Sequence, residues 1–105
     1  MDDAPAARLH IETLEGRVLR LSGDLDSHTS DDLAEALEAA GPDADVTLDV
    51  AGVDFIDSSG LRAVVAGNSA LAETGHRLRV RRAGASVRRL VELTGLDDHL
   101  DVEAD

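Results

Sequence analysis

The sequence predicts an α/β domain in which helices cover a mixed β-sheet, in the order ββαβαβα with a candidate strand at the end. Three observations carry this expectation. Short stretches that alternate apolar with polar residues recur near residues 9, 17, 46 and 77. Longer stretches with apolar residues at i, i+3 and i+4 follow them, and Gly, Pro or acidic turn residues separate the two kinds. Strands repeat every two residues and helices every 3.6, so the two patterns are distinguishable.

Residues 9–13 (LHIET) and 17–22 (RVLRLS) alternate, and the Glu15-Gly16 pair between them is a turn signal, so the chain opens with a hairpin. Residues 23–29 (GDLDSHT) read as a loop rich in cap-forming side chains. Leu33, Ala36, Leu37 and Ala40 then follow helical spacing; Thr29 with Asp32 three residues on resembles a capping arrangement, and Gly41-Pro42 supplies the stop. Val46, Leu48 and Val50 alternate with Thr47 and Asp49, and the apolar run Val53, Phe55, Ile56 carries a central strand toward Asp57. A second helix begins at Ser58 or Ser59. It keeps Leu61, Val64, Val65, Asn68 and Ala72 at helical spacing, with Leu71 alongside, and closes at Gly75. Residues 77–82 (RLRVRR) form another alternating strand, Ala83-Gly84 turns the chain, and Val87, Leu90, Val91 and Thr94 mark a third helix ending at Gly95. The candidate last strand is Leu100–Val102.

At 105 residues the chain has the size of one domain, residues 1–105, and 43% hydrophobic content gives it a core to bury. That core is aliphatic, since Phe55 is the only aromatic residue. Base stacking on aromatic platforms is thereby excluded. Ten Arg and no Lys stand against 22 acidic residues, a net charge of -12 that would repel a nucleic acid. Residues 1–61 hold 3 Arg and 15 acids, whereas residues 62–105 hold 7 of each, so the acidic first half is expected to set partner contact. The absence of Cys removes disulfides, thiolate chemistry and Cys-based zinc sites, and points to the cytoplasm. The N-terminal residues MDDAPAARLH lack a basic and an apolar region, and the charge-free stretch 63–72 is too short to cross a bilayer, so no membrane partner is expected.

The most unusual local feature is Asp57-Ser58-Ser59-Gly60-Leu61, where an apolar strand hands over to a helix. Open α/β sheets place ligands at the carboxyl ends of their strands. Two readings follow from the residues. Asp and Ser cap a first turn, and Gly60 allows close backbone approach; alternatively, a Ser hydroxyl at the positive end of the helix dipole accommodates an added phosphate. Gly23-Asp24-Leu25-Asp26 reads alone as an acidic turn, and gains weight from its pairing with the first feature. His10, His28, His76 and His99 show no ligand spacing, so no metal site is expected. The six Arg residues from Arg77 to Arg89 read as outer faces that balance the acidic half, or as a patch for phosphate or an acidic partner. Asn68, on an apolar stripe, reads as a satisfied polar group.

Taken together, the strand ending in Gly-x-Leu-Asp, the aliphatic strand leading to Phe55-Ile56-Asp57-Ser58-Ser59-Gly60-Leu61, and the closing strand–Gly–helix that ends in Thr-Gly-Leu resemble the STAS domain over about residues 8–103. Within that family the chain is similar to the stand-alone bacterial anti-sigma factor antagonists. The resemblance implies an interaction module with no catalytic residues and no cofactor, switched by phosphorylation of Ser58. The kinase it implies is the partner itself, an anti-sigma factor with a histidine-kinase-like ATPase fold. The unmodified form captures this partner and frees the sigma factor, and a metal-dependent serine/threonine phosphatase restores it. Asp57 and Asp26 match acidic recognition positions; Ser59, Gly60 and Leu61 match the rest of the motif, and Asp24 adds to the acidic surface. Arg62 stands where many members carry a small residue.

Three other functions compete with this one. A serine hydrolase elbow needs small residues two before and two after its serine, and Ile56 stands two before Ser58. An aspartate phosphoacceptor at Asp54 or Asp57 would want an ammonium partner, and the chain has no Lys. A structural STAS subunit of a transporter or signalling scaffold would keep the fold without the switch.

Overall fold

The computed structural model describes residues 9–95 and 100–104. Along the chain run β1 (Leu9–Leu14), β2 (Val18–Leu25), α1 (Ser30–Ala40), β3 (Val46–Ile56), α2 (Ser58–Ala72), β4 (Leu78–Ala83), α3 (Ala85–Thr94) and β5 (Asp101–Ala104). The five strands form one sheet in chain order. A three-residue turn makes β1 antiparallel to β2, while every later strand returns through a helix and pairs in parallel. The expected mixed sheet covered by helices is therefore present, closing strand included.

Period-two alternation decides which side of the sheet is dry. Leu19, Leu21, Leu48, Val50, Leu78 and Val80 are buried in one cluster with Leu33, Leu61, Val64, Val87 and Val91 of the three helices. The opposite side carries the intervening polar residues. There Arg20 and Arg82 approach the Asp49 carboxylate at 3.8 and 3.6 Å, and Arg79 meets Asp101 at 3.1 Å. Asp49 is only 6% exposed and also accepts the Ala51 N–H at 3.1 Å, so these arginines neutralise a carboxylate held against the sheet. Arg77, at 3.4 Å from Asp101, joins them, and the strand portion of the Arg run thus balances acids on an outer face. Asn68 is half-buried and its Oδ1 accepts the Leu78 N–H at 2.9 Å, the satisfied polar group expected of it.

Several local expectations change. Residues 23–25 continue β2 rather than opening a loop, because Gly23, Asp24 and Leu25 each pair with β3. Thr29 stands at the N-cap of α1 but makes no side-chain cap bond. Its hydroxyl instead donates to the Asp24 carbonyl at 2.9 Å and accepts the Asp26 N–H at 2.9 Å, so it closes the preceding loop. Helix α2 ends at Ala72, three residues before Gly75, and Thr74 seals that end by donating to the Pro42 and Leu71 carbonyls at 2.6 and 3.0 Å. Arg17, expected to open a strand, sits in the hairpin turn with φ 59°; its guanidinium donates to the carbonyls of Ala40, Gly41, Ala44 and Asp45 at 2.6–3.0 Å, fixing the C-terminus of α1. His99, the Leu96 of the Thr-Gly-Leu motif and the N-terminal residues 1–8 lie outside the described residues.

Candidate partner-binding and phosphorylation site

Parallel pairing brings the two singled-out motifs to the same end of the sheet. Leu25, the last residue of β2, pairs with Ile56, the last of β3. Beyond them the Leu25 carbonyl accepts the Asp57 N–H at 3.2 Å, which ties the start of α2 to the end of β2. Gly60 completes the junction. A Cβ there would collide with the Leu25 carbonyl oxygen and lie 2.7 Å from Leu25 Cγ, so the first turn of α2 can rest on β2 only with glycine at this position.

Asp57 holds extended backbone, φ -119° and ψ -175°, and its Oδ1 accepts the Gly60 N–H at 3.0 Å. This is a true N-cap, so the capping reading of the motif holds for Asp57. Ser58, the first helical residue, is exposed; Ser59 is half-buried; Gly60 and Leu61 are buried. Of the motif's two hydroxyls, the exposed one therefore belongs to Ser58. It sits where orphan N–H groups and the helix dipole favour negative charge.

The acidic loop divides its labour. Asp24 is half-buried on β2, beside Phe55 in register. Asp26 is 9% exposed, and its Oδ1 accepts the His28 N–H at 2.9 Å and lies 3.3 Å from the Thr29 hydroxyl. Its carbonyl accepts the N–H groups of Thr29 and Ser30 at 3.2 and 2.8 Å. Burial raises the Asp26 pKa, but the His28 and Thr29 hydrogen bonds and the nearby His28 ring outweigh it and hold the carboxyl below the ordinary 3.8. The carboxylate expected on the acidic surface thus shapes the loop that borders the site.

Two contributors escaped the sequence reading. Thr29, read as a cap, is the hydroxyl around which the loop folds. Phe55, read as part of a core strand, is 51% exposed beside the motif; an only aromatic residue in an aliphatic chain was the available signal. A separate cavity of about 370 Å³ opens between α1 and α2, lined by Leu37, Glu38, Ala66 and Ala70 among others, but no residue of either motif lines it. Among the described residues no three His, Cys, Asp or Glu side chains group as a metal site. None of the described helices is long and apolar enough to cross a membrane.

A sheet covered by helices on one side, with an acidic loop and an Asp-capped Ser-Ser-Gly turn at the carboxyl ends of the neighbouring parallel strands β2 and β3, defines a small α/β module. The family model described as Mlab, STAS domain, matches residues 11–102, and the chain belongs to the STAS domain family. It is 31% identical over 83 residues to an anti-sigma F factor antagonist of Paenibacillus polymyxa, covering 75% of this chain and 70% of that one. An anti-sigma factor antagonist from Mycobacterium paratuberculosis superposes with a TM-score of 0.73 at 31% identity, over 92% of this chain and 85% of that one. SpoIIAA, solved in its unphosphorylated and phosphorylated forms, shares the fold at 22% and 18% identity, with TM-scores of 0.68 and 0.66. These comparisons cover 90% of this chain in each case, and 86% and 89% of the SpoIIAA chains.

Proposed function

We propose that this chain is an anti-sigma factor antagonist whose partner is an anti-sigma factor of histidine-kinase-like ATPase fold, and that phosphorylation of Ser58 by that partner releases it. The observation that carries the reading is the exposed Ser58 hydroxyl at the first position of α2, beside the Asp57 cap. Asp24, Asp57, Ser58 and Ser59 form the contact surface; Gly60 and Leu61 seat it, and Asp26 sets the loop at its border. The protein itself carries out no catalysis, works in the cytoplasm, and is reset by a metal-dependent serine/threonine phosphatase.

Phosphorylation acts on the surface rather than on the fold. A phosphate adds about -1.5 to -2 charge and three acceptor oxygens. The helix dipole favours that charge by ~0.3–1 kcal/mol, while Asp57 opposes it, and the two largely cancel. Binding is different, because the same oxygens are desolvated against a surface fitted to a neutral hydroxyl. Moving a complex from nearly all bound to nearly all free takes ~5.5 kcal/mol, within reach of an unpaired, partly buried phosphate.

Incubation with the purified anti-sigma factor and ATP should add one phosphate, mapped by mass spectrometry to Ser58. Ser58→Ala should stay folded, bind and resist modification, whereas the phosphorylated chain should melt within a few degrees of the unmodified one yet fail in pull-down. A phosphate mapped elsewhere would sink the Ser58 assignment. Binding to a larger membrane assembly without any modification would favour the structural-subunit role instead.

A further inference from the structure

The only aromatic side chain of the protein is outside its core. Phe55 is 51% exposed, while the buried cluster is built from Leu, Val and Ala. The cause is a break in the alternation of β3. Gly23 pairs with Val53, but Asp24 pairs with Phe55, so Asp54 is an extra residue against β2. Val53 and Ile56 consequently both pack against the core although they are three residues apart. In a regular strand Phe55 would share the side of Val53; the bulge at Asp54 turns it to the other face.

Phe55 is also left accessible along the sheet. β4 pairs with β3 only over Val46–Asp49, so from Val50 to Ile56 β3 has β2 on one side and no described strand on the other. The ring stands in register with Asp24, between Asp54 and the Asp57 cap, and three residues before the exposed Ser58. The residues flanking Phe55 along the chain, Asp54 and Asp57, and its cross-strand neighbour Asp24 are all acidic, and an exposed ring in that setting fits a specific kind of surface: an apolar pocket whose rim carries Lys and Arg.

We propose that Phe55 is the anchor by which this chain docks on the anti-sigma factor, its ring entering an apolar pocket with a basic rim that pairs with Asp24, Asp54 and Asp57. This rests on the function proposed above and names the residue through which its partner is held. Aromatic anchors at the centre of an interface dominate its affinity, and the surrounding charges mainly raise the rate of encounter. Phe55 stands three residues before Ser58 at the same end of the sheet, so phosphate added at Ser58 falls inside the same proposed footprint.

The test uses the full chain and the purified anti-sigma factor. Because Phe55 is the sole phenylalanine, growth on 4-fluorophenylalanine gives one fluorine resonance at this ring. That resonance should shift and broaden when the anti-sigma factor is added. Phe55→Ala should weaken binding by about 30-fold or more, chiefly through faster dissociation, while lowering the unfolding midpoint by only a few degrees because about half of the ring is already exposed. Binding by Phe55→Ala within about twofold of wild type, whether or not the fluorine resonance moves, would overturn the anchor while leaving the proposed function standing. A wild-type chain that binds no ATPase-fold anti-sigma factor would overturn the function and the anchor with it.

Discussion

Asp26 and Asp57 occupy the ends of two neighbouring strands, yet one carboxylate closes a loop and the other caps a helix. For Asp26 this has a measurable consequence in acid. Its folded pKa lies below 3.8, so between that folded value and the ordinary one the unfolded chain binds the proton more readily than the folded chain. The stability it contributes is therefore complete above the ordinary value and is lost as pH falls through the folded one. Asp45 adds a contribution of the same sign: the Arg77 N–H bond, aided by His76, outweighs burial and lowers its pKa. Asp26→Asn keeps an acceptor for the His28 N–H but removes the charge. It should lower the urea midpoint near neutral pH and narrow the gap to wild type as the pH falls below the ordinary 3.8. A gap that stays constant with pH would show that the charge of Asp26 is not what stabilises the loop. None of this was legible in the sequence, because Gly-x-Leu-Asp does not say whether its last side chain faces outward or folds back on Thr29.

Helix α2 carries Ser58, the proposed switch residue, and two of its glycines show how its seat is set. At Gly60 an added methyl meets the backbone carbonyl of Leu25, which cannot move without disturbing β2; at Gly67 it meets Leu37 Cδ1 at 2.6 Å, the end of a side chain that can rotate. Gly60→Ala should cost about 1–3 kcal/mol or more through overpacking and should weaken partner binding by shifting Ser58. Gly67→Ala should stay within about 1 kcal/mol of wild type, since helix propensity gained offsets the displacement of Leu37. Denaturant titration of both variants checks the contrast, and equal losses would mean that the Leu25 contact does not position the helix. The elements themselves were legible because one-sided burial imposes the spacing: Leu33, Ala36, Leu37 and Ala40 on α1, and Leu78 with Val80 on β4, all meet the core. Irregularities were not. A bulge leaves no mark on an apolar run, so Val53, Phe55 and Ile56 read as one buried strand when their register sends Phe55 outward. The Asp-Ser-Ser-Gly turn was legible as a candidate site because polar residues end an apolar strand there, while the seat beneath it, Leu25 against Gly60, required the fold.

At the scale of the described residues, charge remains largely segregated between the two halves of the chain, although Arg82 on Asp49 and His76 beside Asp45 cross between them. The second half neutralises much of its own charge: Arg77 and Arg79 lie within 3.4 Å of Asp101, and Arg79 also approaches Glu103 at 3.6 Å. In the first half, Asp31, Asp32, Glu35 and Glu38 are exposed on α1, immediately after the loop that borders the site. The acids of α1 therefore offer an approaching partner a broad negative field rather than one or two ion pairs, with the exposed Arg62 of α2 standing one helical turn from Ser58. Such fields act over a Debye length, about 10 Å at 0.1 M salt, and speed encounter more than they strengthen the docked complex. The triple change Asp31→Asn, Asp32→Asn, Glu35→Gln should slow association with the anti-sigma factor by up to about tenfold at low ionic strength, leave dissociation nearly unchanged, and lose its effect as salt is raised. Stopped-flow association rates across a salt series would read this directly. A wild-type association rate that does not depend on ionic strength would remove the steering role of the acidic half, and an effect confined to dissociation would instead place α1 inside the docked interface.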